Sequence, residues 1–504
     1  MEKVSSSALS PQDSRALTPP AGILLGSDAG PRERVDQDIR ENNEGDSSLP
    51  VNWSKSRKWL IVVIISGMSF IVNLSTVICA PASQQIMHEF HSNSNFLGVF
   101  YITVWDLGEA IAPLYIGPLS ERIGRLPVYH FYNILFIIFT AITGCSNSIG
   151  MIVGFRLLTG AATTSICLNP SIVGDMFTLQ TRGAAMATMS LMPLVGTAIG
   201  PIIGGLVTEH LSWRWTFWIT AILTGAVELA MVFVLRETYL PQIMRQRARN
   251  DAAAASQPES VAPAAPFYTI LWRLIKFLLQ PFVILLGSRA ATVFALYLSI
   301  VYAYLFLLAT TLATVYQEVY SFSESDSGLI YLAQAIGMFI GTILCRFTLD
   351  YFIVRSKPSH QPDSNIVRSE LRLIPAAPGM ILLPAALLMY GWTLELRVHW
   401  AAPAVATGLA GFCLSTTTIP TMSYLVDIFG DFSASAIAAV LPLRYLFGTF
   451  LPVAAPYMYA RLGYGWANSL LAFILILCLP PPLLLIFPFR KGPLAARITS
   501  WLGA

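Results

Sequence analysis

The chain has 504 residues, 55% of them hydrophobic and only 12% charged, with a formal net charge of +3 at pH 7 and a mean hydropathy of +0.62. Soluble domains carry roughly a quarter charged residues, so this composition excludes an ordinary soluble protein and indicates an integral membrane protein built from helices. The charge is too small and too dispersed for nucleic acid to be expected as a partner.

Residues 1–56 are polar and rich in Ser, Pro, Asp and Arg, and they read as a disordered cytoplasmic tail rather than a cleaved signal peptide. A spanning helix needs ~20 apolar residues. Six stretches of that kind, 59–80, 96–116, 127–147, 149–173, 183–207 and 214–235, form an N-terminal half over 57–235. Residues 236–288 hold Arg245, Arg247 and Arg249, then Ala-, Ser- and Pro-rich sequence and an amphipathic piece from Phe267 to Leu279, the composition of a cytoplasmic linker. Six more spans, 289–314, 327–350, 375–394, 400–424, 433–457 and 466–488, form a C-terminal half over 289–490, and 491–504 is a short cytoplasmic tail. The expected fold is therefore an all-α membrane protein with twelve transmembrane helices in two six-helix, pseudo-symmetric halves.

Basic residues set the orientation. Lys55, Arg57, Lys58, Arg122, Arg125 and Arg182 lie on one side with the arginines of the linker, and only Arg214, Arg397 and Arg461 lie on the other, so both termini are expected in the cytoplasm. The six cysteines stand singly in apolar stretches and the six histidines are dispersed, so neither a disulfide framework nor a metal site is indicated. No nucleotide-binding loop and no catalytic constellation occur, so neither ATP drive nor an enzyme is expected.

Gly117-Pro118-Leu119-Ser120-Glu121-Arg122-Ile123-Gly124-Arg125 reads as a short charged loop that turns the chain between spans two and three. Its acid and arginines can reach helix termini and one another. The weak echo at Leu349-Asp350, at the end of span eight, is an internal repeat signal. Span five carries Gly196, Gly200, Pro201, Gly204 and Gly205, small residues that let helices pack backbone to backbone, with a proline that permits a kink.

Ionisable residues inside a membrane are costly and mark functional positions. Asp106 and Glu109 share one face of span two, either to exchange protons or contact substrate, or as structural partners of Arg156 or Arg444. Glu228 in span six is a third such acid. Arg156 in span four and Arg444 in span eleven are isolated cations, and Arg444 either binds an anionic substrate or pairs with an acid. Trp105, Tyr101, Tyr297, Tyr302, Tyr304, Tyr331 and Phe412 are possible walls of an apolar cavity.

The Gly117–Arg125 stretch resembles the signature loop of the major facilitator superfamily, Gly-x-x-x-(Asp/Glu)-Arg-x-Gly-Arg, in the form found in fungal twelve-span drug:proton antiporters. The resemblance extends through Arg156-Leu-Leu-Thr-Gly160, Gly174-Asp175, Trp213–Trp218, Glu237-Thr238-Tyr239 and Tyr424-Leu-Val-Asp427. It implies a gate made of Gly117, Glu121, Arg122, Gly124, Arg125 and Asp175, with Glu121 facing the start of span eleven near Ser433 or Ser435 and an arginine paired with Asp175. It also implies that the span-five glycines are the antiporter motif of exporters, and that Arg156 is linked to proton transfer. The implied activity is proton-coupled export of small hydrophobic organic compounds such as drugs, toxins or a fungal secondary metabolite, by alternating access. The proton is then the coupling ion, no cofactor is needed, and a monomer in the plasma membrane is expected, with the vacuolar membrane as the lesser alternative. Rival readings are a nutrient importer or polyamine exporter on the same fold, or a non-transporting membrane sensor.

Overall fold

The computed structural model describes residues 46, 49–92, 94–177, 179–254, 289–355, 373–429 and 433–486, and among them every regular element is helical. In order these are α1 (Lys55–Val77), α2 (Ser83–Glu89), α3 (Asn95–Ile123), α4 (Arg125–Gly144), α5 (Ile149–Ala161), α6 (Ser165–Met176), α7 (Leu179–His210), α8 (Trp213–Val234) and α9 (Leu240–Ala254). The second set is α10 (Arg289–Tyr320), α11 (Glu324–Arg355), α12 (Ala376–Glu395), α13 (Ala401–Phe429), α14 (Ser433–Cys478) and α15 (Pro480–Ile486). Serine side chains start four of them: Ser54, Ser94, Ser148 and Ser212 accept from amides in the first turns of α1, α3, α5 and α8.

Among the described residues eleven stretches are long and apolar enough to cross a membrane, and the last of them, Val440–Leu483, has length for two. It turns at Gly463 (φ 72°, ψ 174°), so the twelve expected spans are present. Two sequence expectations need correction. The Gly117–Arg125 segment is not a loop: α3 continues to Ile123, and the turn is compressed into Gly124 (φ 111°). Span four is broken between α5 and α6 at residues 162–164. The linker begins as the helix α9, while Phe267–Leu279 lies outside the described residues, as do residues 1–45 and 487–504.

The packing repeats across the chain. In the first set α1 packs on α7, α3 on α5, and α4 on α8; in the second, α10 packs on α14, α11 on α13, and α12 on α14. The two sets meet through α3 against α14 and α7 against α11, contacts that exchange under the same twofold relation. Outward faces are apolar: Phe131, Ile222, Phe233, Phe347 and Leu477 are exposed, as lipid contact requires.

Two buried clusters mark the ends of the first half. Trp53, Ile61, Ile116, Val128, Met176 and Leu235 meet at the end that carries Gly124. Cys79, Ala80, Ile86, Tyr101, Ile152 and Trp213 meet at the other. At that second end the halves are stitched together. Glu209 accepts from the Ser325 amide at 2.9 Å, and Gln317 donates to the Pro81 carbonyl at 3.4 Å. A further hydrogen bond between the halves runs from Thr449 to the Thr103 carbonyl at 3.2 Å, and at the Gly124 end none is recorded among the described residues.

Candidate functional site

A cavity of about 340 Å³ lies where the halves meet, walled by α1, α3, α6, α7, α10, α11, α13 and α14. Leu194, Leu305, Phe306, Met189, Met338 and Leu414 give it an apolar lining, and Asn73, Glu109, Tyr302, Arg444 and Tyr445, with the hydroxyl residues Ser69, Thr76, Ser165, Thr197 and Thr418, supply its polar points. This is the usual balance of a small-molecule site, mostly apolar with few orienting groups.

The charges of α3 and α14 converge here. The Arg444 guanidinium lies 4.4 Å from the Tyr302 ring and 4.9 Å from the Tyr445 ring, and donates to the Tyr445 hydroxyl at 3.1 Å. Its Nε has no partner. Asp106 is fully buried, and neither of its carboxylate oxygens is hydrogen-bonded. It fits because α14 has Gly448 opposite: a Cβ there would stand 2.9 Å from Asp106 Oδ2 and from the Tyr302 ring. Glu109, one turn along α3, lines the cavity itself. Among the described residues neither acid forms an ion pair with Arg444 or Arg156. Three ionisable groups thus share one apolar region with no ion pair recorded among them.

Arg156 belongs to a different arrangement. Its Nε donates to the Tyr101 carbonyl at 3.0 Å, Nη1 to Ser75 at 3.0 Å, and Nη2 to Thr76 at 2.7 Å and Ile102 at 3.2 Å. Ser75 and Thr76 are in the last turn of α1, whose carbonyls lack helical partners and carry the negative end of the dipole. Arg156 therefore ties α1 and α3 to α5. Glu228 is apart as well: it accepts from Asn133 at 2.6 Å and pairs with His130, joining α8 to α4 rather than facing the cavity.

At the Gly124 end, Arg125 Nε meets Asp175 Oδ2 at 2.5 Å, so α4 is bound to the end of α6. Thr238 donates to the same oxygen at 3.2 Å, and the Arg125 guanidinium lies 5.2 Å from the Tyr239 ring. Glu237 accepts from the amides of Arg125 at 3.0 Å and Leu126 at 3.2 Å, capping α4, and from Thr238 and Tyr239 at 3.0 and 2.9 Å. Glu121 and Arg122 are exposed, and the side chains of Ser433 and Ser435 lie outside the described residues. Gly117 has open space around it.

The span-five glycines form a contact stripe. A Cβ at Gly196, Gly200 or Gly204 would come within 2.3, 2.9 or 1.9 Å of the Phe70, Leu74 or Ile78 carbonyls of α1 and the residue after it. One at Gly205 would come within 2.3 Å of Glu324 in α11, while Gly328 of α11 sits against the Pro201 carbonyl. The stripe thus packs α7 on α1, and its end packs α7 on the other half.

Sequence reasoning missed Tyr445 and the capping function of Glu237. An Arg-Tyr pair inside an apolar run was the signal for the first. Of the seven proposed aromatic walls, Tyr302 alone is a lining residue. Tyr101, Tyr304 and Tyr331 donate to main-chain carbonyls of Cys79, Leu471 and Ala309, and Trp105 packs edge-on to Phe136.

The sequence profile of the Major Facilitator Superfamily matches residues 65–451. The chain is similar to the MFS transporter cpaT of Aspergillus oryzae, with 37% identity across 96% of this chain and 97% of that protein. It is similar to the efflux pump radE of Floropilus chiversii, with 35% identity across 88% and 83% of the two chains. Among solved structures, the xylose transporter XylE from E. coli in a partially occluded inward open conformation superposes with a TM-score of 0.63 at 15% identity, covering 87% of this chain and 98% of that one. A bacterial homolog of the human lysosomal transporter Spinster, inward-facing and unoccupied, gives 0.59 at 14% identity, covering 89% and 99%. At such low identities these two likenesses concern the fold alone. With a profile match over most of its length and close relatives aligned nearly end to end, the chain belongs to the Major Facilitator Superfamily of membrane transporters, which are not enzymes.

Proposed function

We propose that this transporter is a proton-coupled exporter of small, hydrophobic organic compounds of the kind fungi release as toxins or secondary metabolites. The observation that carries the reading is Asp106: a fully buried acid with no hydrogen-bond partner, beside a mostly apolar cavity that also holds Glu109 and Arg444. Intramembrane acids of this kind mark ion and proton pathways. Asp106 and Glu109 exchange the coupling proton, Arg444 responds to their charge, and the apolar lining accepts the compound. No cofactor takes part. Export is favoured over import by the glycine stripe of α7 and by the printed name of a relative, efflux pump radE.

The stitched end is the outer one in this reading, with both termini in the cytoplasm of a monomer in the plasma membrane. Substrate enters from the Gly124 end, and rocking of the halves about the α3–α14 and α7–α11 contacts carries it across. A polyamine exporter is disfavoured because Glu109 is the acid of the described lining and Arg444 stands in the same wall.

The test is transport in sealed membrane vesicles with an imposed pH gradient, using a panel of fluorescent hydrophobic dyes and fungal metabolites. Asp106→Asn should keep its fold, since no hydrogen bond is lost, yet abolish gradient-driven movement. Unchanged gradient dependence in that variant would remove Asp106 as the coupling acid.

A further inference from the structure

Along the seam between α1 and α8, Ile61 and Ile65 of α1 and Met231 and Leu235 of α8 are buried, and half-buried Ile64 and Val234 form a narrow apolar groove over them. Its rims are greasy and open: Val63 is 60% and Phe233 80% exposed. The cleft ends, at the Gly124 end of the bundle, between two cations. Arg57 stands one turn before Ile61 on α1, and Arg236 directly follows Leu235. The two are charge neighbours.

Among the described residues no ion pair is recorded for either cation. Arg57 is held flat, 4.1 Å from the Trp53 ring, and no side-chain hydrogen bond or ion pair is recorded for Arg57 or Arg236 among the described residues. The acid next to Arg236, Glu237, is committed to four main-chain amides. Lys58 is turned inward, donating to the Val51 carbonyl at 2.5 Å, so it does not dilute the pair. Like charges held together at a low-dielectric boundary repel unless a counter-charge joins them. Exposed Trp59 marks this level as the membrane–water interface. A ligand that supplies the counter-charge at this place carries negative charge at the interface and an apolar body that runs into the bilayer.

We propose that the α1–α8 seam is a binding site for an anionic glycerophospholipid, its headgroup phosphate between Arg57 and Arg236 and one acyl chain along the Ile64–Val234 cleft. The charge complementarity selects anionic over zwitterionic headgroups, and the cleft selects a lipid over free phosphate. The proposal does not depend on the direction of transport or on the compound carried.

The experiment uses the full chain purified in a neutral detergent, with dioleoyl phosphatidylserine or dioleoyl phosphatidylcholine titrated in and retained lipid counted by native mass spectrometry. Phosphatidylserine should be retained the more strongly. The double variant Arg57→Gln, Arg236→Gln should bind it about thirtyfold less tightly, the factor expected from two interfacial arginines. Ile64→Trp should fill the cleft and weaken retention of both lipids with the arginines intact. Millimolar inorganic phosphate should leave the phosphatidylserine adducts unchanged. Should the double variant elute as aggregate, Arg236→Gln alone, at an exposed position, carries the same comparison. Equal retention of the two lipids, no loss in the variants, or full displacement by inorganic phosphate would each overturn the assignment.

Discussion

Gly124 is the position where a single methyl group should cost most at the turn between α3 and α4. Its backbone angles, φ 111° and ψ 158°, fall in a region that is essentially glycine-only, and holding another residue there costs about 1–3 kcal/mol. A second cost comes from space. A Cβ would stand 2.4 Å from Glu237 Oε2, so the carboxylate must move. Moving it uncaps α4, because Glu237 accepts from the Arg125 and Leu126 amides. Loss of a cap costs about 1 kcal/mol and at most about 2. Gly124→Ala should then lose about 2–5 kcal/mol in all.

The two parts are separable. Glu237→Ala removes both the obstacle and the cap, so Gly124→Ala in that background should lose only the backbone part. The double variant should be more stable than the sum of the single losses predicts, by about 1–2 kcal/mol. Chemical unfolding of the purified protein in detergent, followed by tryptophan fluorescence, measures the four corners of the cycle. Additive losses within about 0.5 kcal/mol would refute the coupling between Gly124 and Glu237. A Gly124→Ala protein as stable as the parent would refute the backbone argument too.

Arg156→Lys should destabilise the first half by about 3 kcal/mol or more, because one ammonium cannot serve carbonyls on both α1 and α3 and the rest are left unpaired; a fall in unfolding midpoint checks it. Gly204→Leu should prevent folding or force α7 off α1, since even a Cβ would lie 1.9 Å from the Ile78 carbonyl, and yield of monodisperse protein reports it. Glu89, outside the spans, pairs with Arg214 at 2.7 Å and accepts from the Trp213 indole at 2.5 Å. Burial works against its charge, but the Trp213 hydrogen bond and the Arg214 guanidinium together hold its carboxyl below the ordinary value. A depressed acid contributes stability above its unfolded value of ~4.3 and loses it as pH falls through the lower folded value. The difference in melting temperature between parent and Glu89→Gln should therefore be present in full at neutral pH and shrink as the pH falls below ~4.3 toward the depressed folded value.

The spans were legible because apolar runs of the required length follow serines that can cap them, as at Ser54, Ser94, Ser148 and Ser212. Their interruptions were not. The Gly117–Ile123 stretch looked like a loop because it is charged, yet Glu121 and Arg122 are exposed at a helix end, where water serves charge without breaking the helix. The break before Ser165 follows two threonines whose polarity is too mild for hydropathy to register, and α2 is too short for a spanning pattern. In the site, Asp106, Glu109 and Arg444 stood out as charges in apolar sequence. The aromatic wall did not follow, since Tyr101, Tyr304 and Tyr331 spend their hydroxyls on carbonyls 22, 167 and 22 residues away, pairings that only the tertiary fold defines.

The two ends of the bundle solve different problems. At one end the halves touch through main chain: Gly205 lies against the Glu324 carbonyl, Gly328 against the Pro201 carbonyl, and Glu209 reaches the Ser325 amide. Such contacts depend on small residues and fixed backbone, so they make a tight, shape-specified closure. At the Gly124 end the recorded charge contacts stay within one half: Arg125 binds Asp175, and Glu237 binds the start of α4. They do not latch the halves. They fix the angle between α3 and α4, and so the place where exposed Glu121 stands at the last turn of α3. Among the described residues the Arg125–Asp175 pair acts within one half, so in the proposed alternating-access cycle a variant of Arg125 or Asp175 should shift the balance between conformations by bending the α3–α4 hairpin rather than by breaking a bond across the cleft.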